Sequence, residues 1–124
     1  TVTDHVSAFW DFPATAAEIA NMDMPGKTDG ISYVPTLLCK PEKQKQHEQL
    51  YWEFHEGKFT AQAIRKGKFK AIRKKPSDAV ELYNLEKDPG EANNIADEKP
   101  KLASEMTELL NNARTRSEYW PLKN

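Results

Sequence analysis

The sequence predicts an α+β fold: a four-stranded antiparallel sheet packed against a C-terminal helix, with a further helix near the N-terminus. Three observations carry that prediction. Leu50–Ile95 holds short aromatic and β-branched runs separated by turn residues, the pattern of a meander. Pro100–Arg114 switches to helical spacing, with Leu102, Met106, Leu109, Leu110 and Ala113 on one stripe. Asp4–Met22 also reads as helical, with a break near Pro13.

In Asp4–Met22, Asp4 or Ser7 is placed to cap the start, and Pro13 to open the longer helix. Ala16, Ile19 and Ala20 share one side, and Phe9, Trp10 and Phe12 are expected to pack as core in the turn before Pro13. Pro25–Gly30 is turn chemistry, and Ile31–Leu38 has no clear period. Pro41–Glu48 is polar and reads as an exposed linker, with His47 facing solvent. The organisation expected is therefore a helix and connecting loop over 1–49, then sheet plus helix over 50–124.

The first strand, Leu50–His55, sets Leu50, Trp52 and Phe54 on one face and Tyr51, Glu53 and His55 on the other. Ala61–Arg65 and Phe69–Arg73 follow, joined at Lys66-Gly67-Lys68, where Gly67 can take positive φ without a Cβ clash. Val80–Leu85 is the fourth strand, ended by Asp88-Pro89-Gly90, with Gly90 expected to reverse the chain. Pro100 suits the first position of the last helix, and Arg114 and Arg116 stand where its negative end favours cations. Tyr119-Trp120-Pro121-Leu122 reads as irregular, with the aromatics tucked onto the body.

With 124 residues, 30% charged and a formal net charge of −1, the chain has no bulk field that favours nucleic acid or membrane. No apolar run approaches the roughly 20 residues of a membrane span. Thr1 opens without a start Met or an apolar leader, so no export signal is visible in a chain that can be a cut piece. Lys58–Lys75 carries eight basic residues and no acidic one. Interleaved with Phe59 and Phe69, they suit a nucleic-acid surface, a solvated strand face, or a pair of contacts to an anionic ligand. Nine acids between Asp78 and Glu108 offset them.

No HExxH, P-loop, GxSxG or paired CxxC is present, and the three histidines show no metal-ligand spacing. Glu53 and His55 share a strand face, roughly 7 Å apart as residues two steps along a strand. An acid and an imidazole projecting together can hold a polar ligand, or can simply be two polar residues in water.

Several motifs together resemble the C-terminal portion of the type I, formylglycine-dependent sulfatases, in the arylsulfatase and N-acetylgalactosamine-sulfatase group. Val6–Thr15 (VSAFWDFPAT) is similar to the family's S-x-x-D-x-x-P-T helix with a shifted Pro. Asp29-Gly30-Ile31-Ser32 with Pro35-Thr36-Leu37-Leu38 is similar to DG-x-S-x-x-P-x-L. Tyr51-Trp52-Glu53-Phe54, the Ala63–Lys70 hairpin (AIRKGKFK), Glu81–Leu85 (ELYNL) and Asp88–Ala96 (DPGEANNIA) follow in the family's order.

The resemblance implies the C-terminal subdomain of an alkaline-phosphatase-like sulfatase fold, whose partner is the N-terminal catalytic domain of the same parent chain. Calcium and formylglycine belong to that larger part, and no catalytic or metal-binding residue is assigned here. Cys39-Lys40-Pro41-Glu42-Lys43 imitates the formylglycine motif C-x-P-S/x-R, but Lys43 replaces its Arg and Glu42 its Ser, so Cys39 is read as a free loop cysteine. The chain would complete the fold, wall one side of the pocket for a sulfated sugar or aryl sulfate, and be inactive alone. Glu53 and His55 are the candidate substrate-side residues, with Arg65 and Lys70 as further anion contacts. The parent is expected to be a bacterial periplasmic or secreted hydrolase, with no nucleic-acid or membrane partner, and the isolated piece can self-associate. The rival reading is a stand-alone module for anionic glycans or nucleic acid.

Overall fold

The computed structural model describes residues 2–56 and 59–121. They fall into two compact units, 1–48 and 49–124.

The first unit holds a helix α1 (Asp11–Ile19), a single-turn helix α2 (Val34–Leu37) and a 3-10 turn at Pro41–Lys43. Polar side chains organise it. Asp11 is fully buried and accepts from the Ala8 amide at 2.7 Å and the Ile31 amide at 2.8 Å. Thr15, one turn on, accepts from the Tyr33 amide, so the i, i+4 pair on α1 ties down the loop that follows Gly30. Gln44 closes the other end, accepting from the Thr36 amide and hydroxyl and donating to the Ser32 carbonyl. A Cβ on Gly30 would lie 2.2 Å from the Trp10 carbonyl oxygen, so only glycine lets the two backbones approach.

Several expectations for this unit are overturned. Neither Asp4 nor Ser7 caps α1, which starts at Asp11 with Pro13 in its first turn. The inward face of α1 is Asp11 and Thr15, whereas Ile19 is exposed. The loop backbone needs acceptors, and a short unit satisfies it with side-chain oxygens before it can bury apolar area. Phe9 and Phe12 are accordingly exposed, at 90% and 59%, and form no core. His47 is not solvent-facing: its side chain is 9% exposed and Nε2 lies 2.8 Å from Asp11 Oδ1. Nor is Pro41–Glu48 a mere exposed linker, because Gln44 within it is buried.

The second unit is the meander. Strands β1 (Leu50–Glu56), β2 (Phe59–Lys66), β3 (Phe69–Arg73) and β4 (Glu81–Asn84) form one antiparallel sheet in the order β1-β2-β3-β4. Gly67, at φ 57°, makes the β2–β3 turn. Helix α3 (Pro100–Ala113) lies across β2 and β3. Met106 and Leu110 from its stripe join Ile64, Ala71, Val80 and Leu82 as the buried core, with Leu102, Leu109 and Ala113 packed around them. The turn after β4 differs from the expectation in one respect. Glu91, not Gly90, takes the positive φ, at 54°, while the Asp88 carboxylate accepts from the Ala92 and Asn93 amides. Asn94 Oδ1 then accepts from Leu82 and Ala96, fastening the approach to α3 onto β4.

Strand β1 alternates as its sequence predicts, and the side that the helix covers is the polar one. Tyr51, Glu53 and His55 stand opposite Ile64, Gln62 and Thr60, on the face that α3 covers. Trp52 and Phe54 lie on the other face and are partly exposed. Alternation marks two faces but does not say which one a helix will cover.

Candidate functional site

The four candidate residues split between the two faces of the sheet. Glu53 and His55 sit on the covered face with their side chains 9% and 2% exposed. Register explains the neighbourhood: Glu53 opposes Gln62, which in turn opposes Arg73. A directional chain of hydrogen bonds runs along this row. Arg73 Nε donates to Gln62 Oε1 at 2.8 Å, Gln62 Nε2 donates to the Tyr51 hydroxyl at 2.6 Å, and Tyr51 donates to Glu53 Oε2 at 2.6 Å. Guanidinium can only donate, so the Gln62 amide has one orientation that satisfies both neighbours.

Glu53 is held from its far side by Arg114, just past the end of α3. Nε lies 2.7 Å from Oε2 and Nη2 lies 3.2 Å from Oε1, a two-point guanidinium–carboxylate pair. Arg114 Nη2 also donates to the Trp120 carbonyl. Burial alone would raise the Glu53 pKa, but the Arg114 and Tyr51 hydrogen bonds outweigh it and bring the carboxyl down to about 2. Burial and the bond to Glu53 push Tyr51 up to about 12. His55 Nδ1 is 3.2 Å from the Thr60 hydroxyl. Its Nε2 stands 3.1 Å from Glu53 Oε1, off the line of a hydrogen bond. The His55 ring meets Trp120 at 5.3 Å between centroids, so Trp120 does lie against the body, whereas Tyr119 is exposed. Leu122 lies outside the described residues.

Arg65 and Lys70 are brought together on the opposite face as cross-strand partners. They line an open cleft of about 610 Å³ with Trp52, Leu85, Pro89 and Glu91. Lys70 pairs with Glu91 at 2.6 Å, and Arg65 Nε donates to the Gly67 carbonyl. Chemically, this cleft offers an aromatic face, two cations and one acid, whereas the covered row offers a fixed scaffold. Lys68 and Lys74 of the basic hairpin also meet acids, Glu86 and Glu81. Lys58 lies outside the described residues. Sequence reasoning missed Gln62 and Arg114 as partners of Glu53, and Arg73 as the partner of Gln62; the spacing Gln62 to Arg73 across the Gly67 turn was the available signal.

No three His, Cys, Asp or Glu side chains converge among the described residues. Cys39 is exposed on the turn after α2 at φ 55°, a position that favours glycine, and not at the head of a long helix.

Residues 1–116 match the family described as N-sulphoglucosamine sulphohydrolase, C-terminal. The Delta 4,5-hexuronate-2-O-sulfatase of Bacteroides thetaiotaomicron is 32% identical over 121 residues, covering 91% of this chain and 25% of that protein. A solved 2-O GAG sulfatase superposes with a TM-score of 0.69 at 31% identity, over 81% of this chain and 23% of its own. A further structure, solved with its substrate D-glucosamine-2-N,6-O-disulfate, gives 0.65 at 27% identity, over 83% of this chain and 23% of its own. The chain thus spans about a quarter of the length of these relatives. Its four-stranded antiparallel sheet with helix is the sulfatase C-terminal subdomain, and the chain belongs to the N-sulphoglucosamine sulphohydrolase C-terminal family.

Proposed function

We propose that this chain is the C-terminal subdomain of a bacterial, periplasmic or secreted sulfuric ester hydrolase that removes sulfate from sulfated sugars. The observation that carries the reading is the match over residues 1–116 to a family of sulfatase C-terminal parts. Sulfated sugars rank above aryl sulfates because the relatives' names specify a hexuronate, a GAG and a glucosamine disulfate. The N-terminal catalytic domain of the same parent supplies calcium and formylglycine, and the present residues complete the fold and wall the pocket.

Within that wall, Arg65 and Lys70 beside Trp52 are suited to an acidic sugar: the indole gives an apolar platform and the cations give charge-assisted hydrogen bonds. Glu53 and His55 act as positioning residues, because their side chains are buried beneath Arg114 and Trp120.

The test is sulfate release from sulfated glycosaminoglycan disaccharides by the full-length parent, with the 124-residue chain as control. Activity confined to the full product, with KM raised about tenfold by Arg65→Ala or Lys70→Ala, is the expected result. Sulfate release by the 124-residue chain alone, or none by the full product on any sulfated sugar, overturns it.

A further inference from the structure

Arg73 has no role in the reading above, yet it is one of the two buried charged residues among those described. It is 8% exposed, and among the described residues its side chain has no carboxylate partner and makes one hydrogen bond, from Nε to the neutral Gln62. Burial accordingly lowers its pKa from the ordinary value. A guanidinium so largely withdrawn from water, with its Nη groups still open to the cavity, is unfavourable without a counter-charge, and proteins relieve this with an anion or a shifted equilibrium. Arginine stays protonated, which leaves the anion.

A cavity of about 460 Å³ lies beside it, lined by Gln62, Arg73, Asn111, Arg114, Arg116 and Ser117 among others, with no acid among the described lining residues. Arg114 is neutralised by Glu53, so among the described lining residues Arg73 and Arg116 remain as cations without an acidic partner. The Nε bond to Gln62 fixes the plane of the Arg73 guanidinium and leaves its Nη groups for a ligand. Asn111 and Ser117 add neutral donors.

We propose that this cavity on the covered face, between the end of α3 and β3, is a binding site for a compact oxyanion: a sulfate or carboxylate, free or borne on a sugar. Arg73 supplies the buried contact and Arg116 the charge at the mouth. The site is separate from the Trp52–Arg65–Lys70 cleft, which lies on the other face, and it stands whether or not the parent is a hydrolase.

The experiment is a titration of the chain with sodium sulfate against sodium chloride at equal ionic strength, read from arginine Nε–H resonances. A saturable shift of the Arg73 and Arg116 signals with sulfate but not chloride is expected. Arg73→Met should weaken binding about tenfold or more, and Arg116→Gln severalfold, as for loss of one charge-assisted hydrogen bond. Arg116 is exposed, so the second variant stays informative if the first does not fold. Glucuronate and glucosamine 6-sulfate form parallel arms: tighter binding than inorganic sulfate identifies a sugar-borne group, and weaker binding a free ion. Equal shifts with chloride, or sulfate affinity unchanged in Arg116→Gln and any folded Arg73 variant, overturn the proposal.

Discussion

A carboxylate buried against a guanidinium stabilises a fold only while it is ionised, and Glu53 is such a group. Its folded pKa of about 2 lies below the ordinary carboxyl value of 4.5, so its contribution is fully present above the unfolded pKa and is lost as pH falls toward 2. That difference is on the order of 3 kcal/mol, at 1.36 kcal/mol per pKa unit. Tyr51 works at the other end. With its pKa raised from 10.0 to about 12, its contribution is complete below pH 10 and is lost as the solution becomes more alkaline. Urea denaturation of the chain from pH 2 to 7 should show the acid limb, and Glu53→Gln should flatten it. Arg114→Met strands the carboxylate and should cost about 3 kcal/mol at neutral pH. At this scale the sequence was half legible. The pairing of Glu53 with His55 followed from strand spacing, but their exposure did not, because Trp52 and Phe54 look more like core than an acid and an imidazole do. What buries Glu53 is Arg114, distant in sequence, and no local pattern announces such a partner.

Elements were easier to read than their faces. All four strands and α3 lie within a residue or two of the expected bounds, since Gly67, Pro100 and the period changes punctuate them. The α1 region misled because polar residues do the inward packing there. Asp11 and Thr15 carry the loop amides of Ile31 and Tyr33, so Asp11→Ala should abolish protection of both amides in hydrogen exchange while leaving those of β2 and β3 unchanged. Gly30→Ala should give the same pattern, because its methyl would overlap the Trp10 carbonyl. In the second unit, Leu110→Ala removes a fully buried side chain from the sheet–helix core and should cost about 2–5 kcal/mol in equilibrium unfolding.

For the whole molecule, the balance of buried and open apolar groups is the notable quantity. Among the described residues six hydrophobic ones make the buried core cluster, while Phe9, Phe12, Ile19 and Tyr119 are all more than half exposed. Large apolar side chains left open favour association. Light scattering should show concentration-dependent association of the chain, and Phe9→Ser with Phe12→Ser should reduce it while changing stability by less than about 0.5 kcal/mol. The parent's catalytic part, under the proposed function, would cover such groups in the complete enzyme.

The strand order carries a kinetic consequence. Each strand pairs with its immediate successor, and α3 returns over the two central strands. Every closure the sheet requires is therefore a short loop, and the entropy lost before contacts form is small. Refolding of the sheet unit should fall on the millisecond side of mixed α/β domains, as stopped-flow fluorescence would show. Assembly of this unit need not wait for any distant segment to find it.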